Sequence, residues 1–354
     1  MTEAREGSGG GGVLQGLYPE ELEAAVREAG GEAWRARQVW GWVQGRHALS
    51  WEEMRNVPGR LRESLAAAGW EAAAVRGAKE SADPGGTVKW LLELRDGELI
   101  EMVRIPGGGG RETVCVSTQA GCRMGCAFCA TAKSGFARSL EAGEIVAQVH
   151  WGARALGRRP DNVVLMGMGE PFDNYDATMR AVRLMNHPEG LGIGARKITI
   201  STCGVVEGIR RLAGEGLQVE LSVSLHAPNP EIRRRLMPAE RRWGMESVLA
   251  ECAAYTAQTK RIVTFEYTLV RGVNDGPEHA AELARRLRTF PCRVNLIPLS
   301  PVAEFDGETP SRERVEVFLR ELRRRGVEGT IRESRGKGVN GACGQLRRGV
   351  KGAE

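Results

Sequence analysis

The sequence predicts an α/β protein: a partial (βα)6 barrel of the TIM type, preceded by a small helical domain and a connecting β-hairpin. Three observations carry that expectation. From residue 113 onward, six short runs rich in Val and Ile alternate with segments of amphipathic helical pattern, the rhythm of parallel strands joined by crossover helices. Over 14–76, apolar residues recur at three- and four-residue steps. Over 87–105, two strand-like runs flank an Asp-Gly turn.

The elements follow in order. Residues 1–12 end in Gly-Ser-Gly-Gly-Gly-Gly and read as a disordered tail. Residues 13–80 read as a helical accessory domain, opened by Pro19 at an early helical position. Trp34, Trp40, Trp42 and Trp51 lie in it among Arg35, Arg37 and Arg46. Tryptophans at helical spacing build a small core, and aromatics interleaved with arginines also stack bases and clamp phosphates. Residues 86–106 form the hairpin connector, turning at Asp96 and Gly97. Residues 107–335 form the barrel, with strand runs beginning at Thr113, Asn162, Lys197, Val219, Ile262 and Cys292. Residues 336–354 are a C-terminal segment.

Composition fits an enzyme with a sizeable core: 354 residues, 42% hydrophobic, with no run of membrane-spanning length and no apolar leader at the start. A cytoplasmic location and a monomer are expected. The net charge of +5 is unevenly spread, since 311–354 holds twelve Lys/Arg against six Asp/Glu. Arg-rich stretches at 233–235, 241–242, 323–325 and 347–348 fit either a phosphate backbone or solvated helix faces.

The most informative feature is the CxxxCxxC spacing of Cys122, Cys126 and Cys129, directly after the first barrel strand. In such barrels the functional loops follow the C-terminal strand ends. Three thiolates leave a tetrahedral zinc site one ligand short. A four-iron cluster held by three thiolates instead keeps one iron open. A zinc knuckle with a distant fourth ligand remains a second reading, and a disulfide framework is disfavoured by 8 Cys in a chain of this length. The second strand leads to Gly-Met-Gly-Glu-Pro at 167–171, where Gly169 permits close backbone approach and Glu170 can accept from an ammonium group. Ser201, Ser224, Leu225, His226 and Asn295 fall at or near other strand ends and outline one pocket.

These residues resemble the radical S-adenosylmethionine enzymes, and more closely the RlmN/Cfr family of RNA adenosine methyltransferases. The resemblance rests on Gln-Ala-Gly-Cys-Arg-Met-Gly-Cys-Ala-Phe-Cys-Ala-Thr at 119–131 and Gly-Met-Gly-Glu-Pro at 167–171. It extends to Ser-Thr-Cys-Gly-Val-Val at 201–206, Ser-Leu-His-Ala-Pro-Asn at 224–229, Val-Asn-Leu-Ile-Pro at 294–298 and Ala-Cys-Gly-Gln-Leu at 342–346. It implies the radical SAM partial barrel and one [4Fe-4S] cluster on Cys122, Cys126 and Cys129. It also implies S-adenosyl-L-methionine, two molecules per turnover, against Gly169, Glu170, Ser201, Ser224, Leu225, His226 and Asn295. An external electron donor, such as flavodoxin or ferredoxin, is implied as a partner.

The resemblance further implies that Cys343 accepts a methyl group from the first cofactor molecule. A 5′-deoxyadenosyl radical from the second then takes hydrogen from that methyl, and the carbon radical adds to adenine. Cys115 is implied to resolve the protein–RNA adduct by forming a disulfide with Cys343, while Glu101 accepts the ring proton. The substrate so implied is an adenosine of 23S rRNA, methylated at C2, with tRNA as a further substrate. Methylation at C8 is the alternative. The family's acidic run before the cysteine is replaced here by Lys-Gly-Val-Asn-Gly-Ala-Cys at 337–343. A non-enzymatic RNA-binding protein with a structural metal is the competing class; it has no use for Cys115, Glu170 and Cys343 together.

Overall fold

The computed structural model describes residues 11–332 and 335–348. The expected tail therefore lies mostly outside the described residues. Gly11 and Gly12, assigned to it, are tied to the helical domain: Gly11 N–H donates to the Ala68 carbonyl at 3.1 Å and Glu71 N–H to that of Gly12 at 2.7 Å.

The helical domain contains helices Pro19–Glu28, Trp34–Trp40 and Gly59–Ala67, the second running on into a π-turn at Gly41–Gly45. Pro19 begins the first helix because its ring supplies a helical φ where no amide hydrogen is needed. Leu22, Val26, Val39, Trp40, Met54, Leu61 and Leu65 form its core, with Trp42 and Trp51 packed on the edge. Trp34 is the exposed member, under the Arg35 guanidinium.

A ten-stranded sheet follows. Its antiparallel flank is β1 (Val75–Ala82), β2 (Val88–Leu94) and β3 (Leu99–Pro106). The expected hairpin is formed by β2 and β3, and β1 pairs with β2 to extend it to a three-stranded meander, beginning inside the segment expected to be helical. The reason is visible in β1: of its eight residues only Val75 is buried, so it carries no apolar alternation to read. A charged, exposed strand of this kind suits a sheet edge. Strand β4 (Glu112–Cys115) pairs antiparallel with β3 and parallel with the next barrel strand. Strands β5 (Gln119–Gly121) and β6 (Phe136–Ser139) form a separate ribbon that brackets the cysteine loop.

The parallel array continues through β7 (Asn162–Leu165), β8 (Ile198–Thr202), β9 (Glu220–Ser224), β10 (Val263–Leu269), β11 (Cys292–Pro298) and β12 (Glu328–Ile331). All six expected barrel strands are present, and β12 adds a seventh. Only one of its four residues is buried, which is why no apolar run announces it. The sheet runs in order from β1 to β12 without closing, so the barrel is partial. Helices Ala142–Leu156, Tyr175–Asn186, Val206–Ala213, Met245–Thr259, Pro277–Leu287 and Arg312–Arg324 form the crossovers. One continuous apolar core joins sheet and helices, including Val163, Ile200, Val223, Phe265 and Leu296 from the strands.

The helical domain docks on the first two crossover helices. Arg180 donates to the Gly16 carbonyl at 2.8 Å and pairs with Glu21, while Trp40 Nε1 donates to the Glu189 carbonyl at 2.7 Å. His47 Nδ1 lies 2.8 Å from Nδ1 of the fully buried His150.

Candidate active site

The loop after β4 and β5 brings Cys122, Cys126 and Cys129 to the C-terminal end of the barrel, where all three line one cavity. Counted out to its solvent mouth, the cavity measures about 950 Å³, within the range of ligand sites. The loop is pinned at both ends: Cys122 N–H donates to the Gly135 carbonyl at 3.1 Å, and Ala127 N–H to the Leu236 carbonyl at 2.9 Å. Burial pushes the Cys122 thiol up to about 12, and Cys126 well above the ordinary thiol range. Each thiol also opposes ionisation of its neighbours, so this donor set ionises readily only around a cationic centre. Among the described residues, no three His, Cys, Asp or Glu side chains gather tightly enough to hold a single metal ion. An iron–sulfur cluster makes no such demand, because each iron takes its own thiolate. The three cysteines fit such a cluster.

Opposite the cysteines lies the loop after β7. Here the glycines are steric necessities. A Cβ on Gly167 would come within 2.7 Å of the Val116 backbone, and one on Gly169, whose φ is +104°, within 2.6 Å of Gln119. Gln119 also holds the loop directly, accepting from Glu170 N–H at 3.0 Å and donating to Asp173 at 2.9 Å. Glu170 is buried, and burial pushes its carboxyl up. Two backbone donors oppose that: Phe172 N–H at 3.0 Å on Oε1 and Cys203 N–H at 2.7 Å on Oε2. Glu170 therefore ties two strand-end loops together.

Ser201, Ser224 and His226 line the same cavity. His226 has a φ of +54°, accepts from Thr268 N–H at its Nδ1 at 2.8 Å, and sets its ring edge-on to Phe128. An accepting Nδ1 puts the ring proton on Nε2, and burial holds the imidazole neutral, its pKa lowered to about 3. Leu225 and Asn295 are not among the lining residues. Leu225 is core, and Asn295 Nδ2 donates to Glu266 Oε1 at 3.2 Å.

The C-terminal segment is laid across this mouth. Ala130 N–H donates to the Gly344 carbonyl at 2.7 Å, Thr131 Oγ1 to the Leu346 carbonyl at 2.6 Å, and Gln345 Nε2 to the Pro301 carbonyl at 3.0 Å. Cys343 is thereby held exposed, and it lines two cavities at once. One contains the three loop cysteines; the other contains Cys115, which burial pushes up to about 12. All eight cysteines are free thiols, so the expected disulfide between Cys115 and Cys343 is not present in this structure.

Glu101 stands apart from both cavities. Its Oε1 pairs with Lys89 Nζ at 2.6 Å, and its Oε2 accepts from Arg347 N–H at 2.7 Å. It shares a sheet face with Cys115, because Val103, two residues on, is the register partner of Cys115.

Several lining residues were not among the sequence candidates: Cys203, Glu266, Thr268, Met166 and Arg332. A carboxylate in the middle of an apolar parallel strand is itself a signal, and Glu266 met that criterion. Arg332 gave none. Arg233, expected on an exposed basic stretch, is instead fully buried, bonded to Glu240 at 2.5 Å and to the carbonyls of Cys203 at 2.7 Å and Trp243 at 2.8 Å. It braces the wall behind Cys203.

Residues 116–284 match the Radical SAM superfamily model, and residues 13–69 match the ribosomal RNA large subunit methyltransferase N-terminal domain. The chain is 48% identical over 330 residues to a probable dual-specificity RNA methyltransferase RlmN of Pelotomaculum thermopropionicum, covering 93% of this chain and 89% of that protein. It belongs to the RlmN family. A second member, from Symbiobacterium thermophilum, is 46% identical over 337 residues, covering 94% of this chain and 91% of that one. The crystal structure of a radical SAM methyltransferase from Sphaerobacter thermophilus superposes with a TM-score of 0.91 at 46% identity, covering 94% of this chain and 98% of that one. Membership of the radical SAM superfamily implies a [4Fe-4S] cluster and S-adenosylmethionine.

Proposed function

We propose that this RlmN-family protein methylates C2 of an adenosine in 23S rRNA, and of tRNA as a further substrate, with Cys343 as the methyl carrier. Methyl transfer to RNA by radical SAM chemistry accords with the family; the ring position, the RNA target and the residue roles are our reading. When bound, the cluster and S-adenosylmethionine supply one electron, a methyl group and a carbon radical. The observation that carries the reading is that Cys343 belongs to the walls of both cavities, facing the cluster cysteines through one and Cys115 through the other. A methyl carrier must be loaded at one place and unloaded at another. An exposed thiol on a segment bonded to the cysteine loop meets both demands.

The remaining residues take the following roles. Cys122, Cys126 and Cys129 hold the cluster. Glu170, Ser201, Ser224 and the Nε2–H of His226 orient the polar groups of S-adenosylmethionine, with Gly169 giving it room and Leu225 and Asn295 supporting that wall. Cys115 attacks the Cys343 sulfur to release the product, and Glu101, on the same sheet face, accepts the ring proton. The exposed Trp34 with Arg35, and the basic C-terminal part, contact RNA. An external one-electron donor such as flavodoxin or ferredoxin is required.

Nucleoside mass spectrometry of RNA after reaction tests the reading. The expected product is C2-methyladenosine, lost altogether in Cys343→Ala. C8-methyladenosine would overturn the regiochemistry, and undiminished methylation by Cys343→Ala would overturn the carrier role.

A further inference from the structure

Arg332 directly follows β12, the outermost barrel strand, and its N–H donates to the Leu296 carbonyl at 2.9 Å, which fixes the backbone against β11. From there the side chain reaches across the mouth of the barrel. Its Nη1 lies 3.5 Å from Met166 Sδ, next to the end of β7, and 4.0 Å from Glu266 Oε2 on β10. Glu266 gives the arginine a reason to stay. Its Oε1 accepts from Asn295, but its buried Oε2 has no hydrogen-bond partner, and a buried carboxylate without compensation is costly. The guanidinium is the cation nearest to it.

Arg332 also lines both of the cavities that meet at Cys343. Among the described lining residues it is the one cation of the first cavity; the second adds Arg335, whose guanidinium is turned to the Pro106 carbonyl. The titratable and charged groups lining the two cavities with Cys343 are Cys122, Cys126 and Cys129 from the cysteine loop, Cys115 from β4, Glu170, Cys203 and His226 from the strand-end loops, Glu266 from β10, Arg332 and Arg335.

We propose that Arg332, braced by Glu266, is an electrostatic positioning residue for the two reacting thiols. Cys343 must give up its proton to solvent before its sulfur forms a bond to the methyl carbon of a sulfonium. The breaking bond then leaves its electron pair on the departing thioether. Cys115 likewise attacks the Cys343 sulfur as a thiolate, forming the S–S bond while the bond from that sulfur to the RNA-linked carbon breaks. The electron pair of the broken bond goes to that carbon, which then takes up a proton. Both attacks place negative charge in a confined, half-dry space, and the Arg332 guanidinium offsets it there. Burial and then the neighbouring Cys343 push the Cys115 thiol up while Arg332 opposes them, and Cys343 is the largest influence holding the guanidinium protonated.

This inference rests on the reading that Cys343 carries the methyl, and the test separates the two. In anaerobic, cluster-containing protein, alkylation of the unmethylated Cys343 by iodoacetamide is followed against pH at the peptide level. Wild type is compared with Arg332→Met and Arg332→Lys, with the cluster absorption of each recorded. Arg332→Met is expected to slow alkylation of Cys343 at neutral pH about tenfold. Arg332→Lys is expected to restore most of the difference. A profile for Arg332→Met that superimposes on wild type, or an Arg332→Lys profile no better than Arg332→Met, overturns the proposal. Undiminished RNA methylation by Cys343→Ala would sink the carrier reading instead and leave the alkylation result untouched.

Discussion

Each functional side chain sits in an environment that biases its chemistry in a definite direction. Cys115 is the clearest case: burial pushes its thiol up to about 12, so at neutral pH it is a protonated, slow nucleophile until its target sulfur arrives. That suits a resolving thiol, which must not react before the adduct exists. Replacing Cys115 with Ala is expected to trap a covalent protein–RNA species, seen as an RNA-dependent mobility shift on denaturing gels. Absence of any such band would remove the resolving role. The same scale shows why the sequence spoke clearly for some residues and not others. Cysteines at fixed spacing and glycines beside a Glu-Pro announce themselves, because few other arrangements need them. Arg332 does not, since one arginine among many is informative only once its neighbours are known.

At the level of elements, the site is built from strand-end loops fastened to one another rather than from any single rigid piece. Glu170 bonds the loop after β7 to the loop after β8 through Cys203 N–H. Arg233, on helix Pro230–Leu236, holds the Cys203 carbonyl from the other side and pairs with Glu240. Both ends of that pair are buried, so removing one partner leaves an uncompensated charge in the interior. Arg233→Ala is expected to destabilise the fold by about 3–5 kcal/mol, read as a lower denaturant midpoint. A midpoint equal to wild type would show that Arg233 is dispensable to the wall. Strands β1 and β12 mark the limit of pattern reading at this scale. Each buries only one residue, so what makes it a strand is its neighbour's open edge and not its own apolar alternation.

The whole molecule has a pH signature of its own. His150 and His226 are both buried and neutral, each lowered to about 3 by burial, whereas an unfolded chain binds a proton near the ordinary value of about 6.5. Between those values the unfolded state carries more protons, so stability falls as pH falls below about 6.5. The loss amounts to about 2 kcal/mol per imidazole by pH 5. Thermal melting is expected to drop between pH 7 and pH 5, and His150→Gln to flatten that slope. A slope unchanged in the variant would contradict the assignment. Because His150 meets His47 across the docking face of the helical domain, this is also where acid should first loosen the two parts.

What the sequence by itself determined is the set of chemical parts and their order along the chain. It settled the six barrel strands, the cysteine loop after the first of them, the Gly-Glu-Pro loop after the second and the family resemblance, all of which are local in sequence. Tertiary structure alone decided which parts meet. It brought Cys343 between two cavities more than two hundred residues from the loop that flanks it. It took Arg233 out of an apparently exposed basic run and buried it against a carboxylate, and it extended the hairpin to a meander and the barrel to a seventh strand. The physical reason is the same in each case: ion pairs, edge pairing and buried charge compensation are satisfied by partners distant in sequence, and no local pattern records the partner.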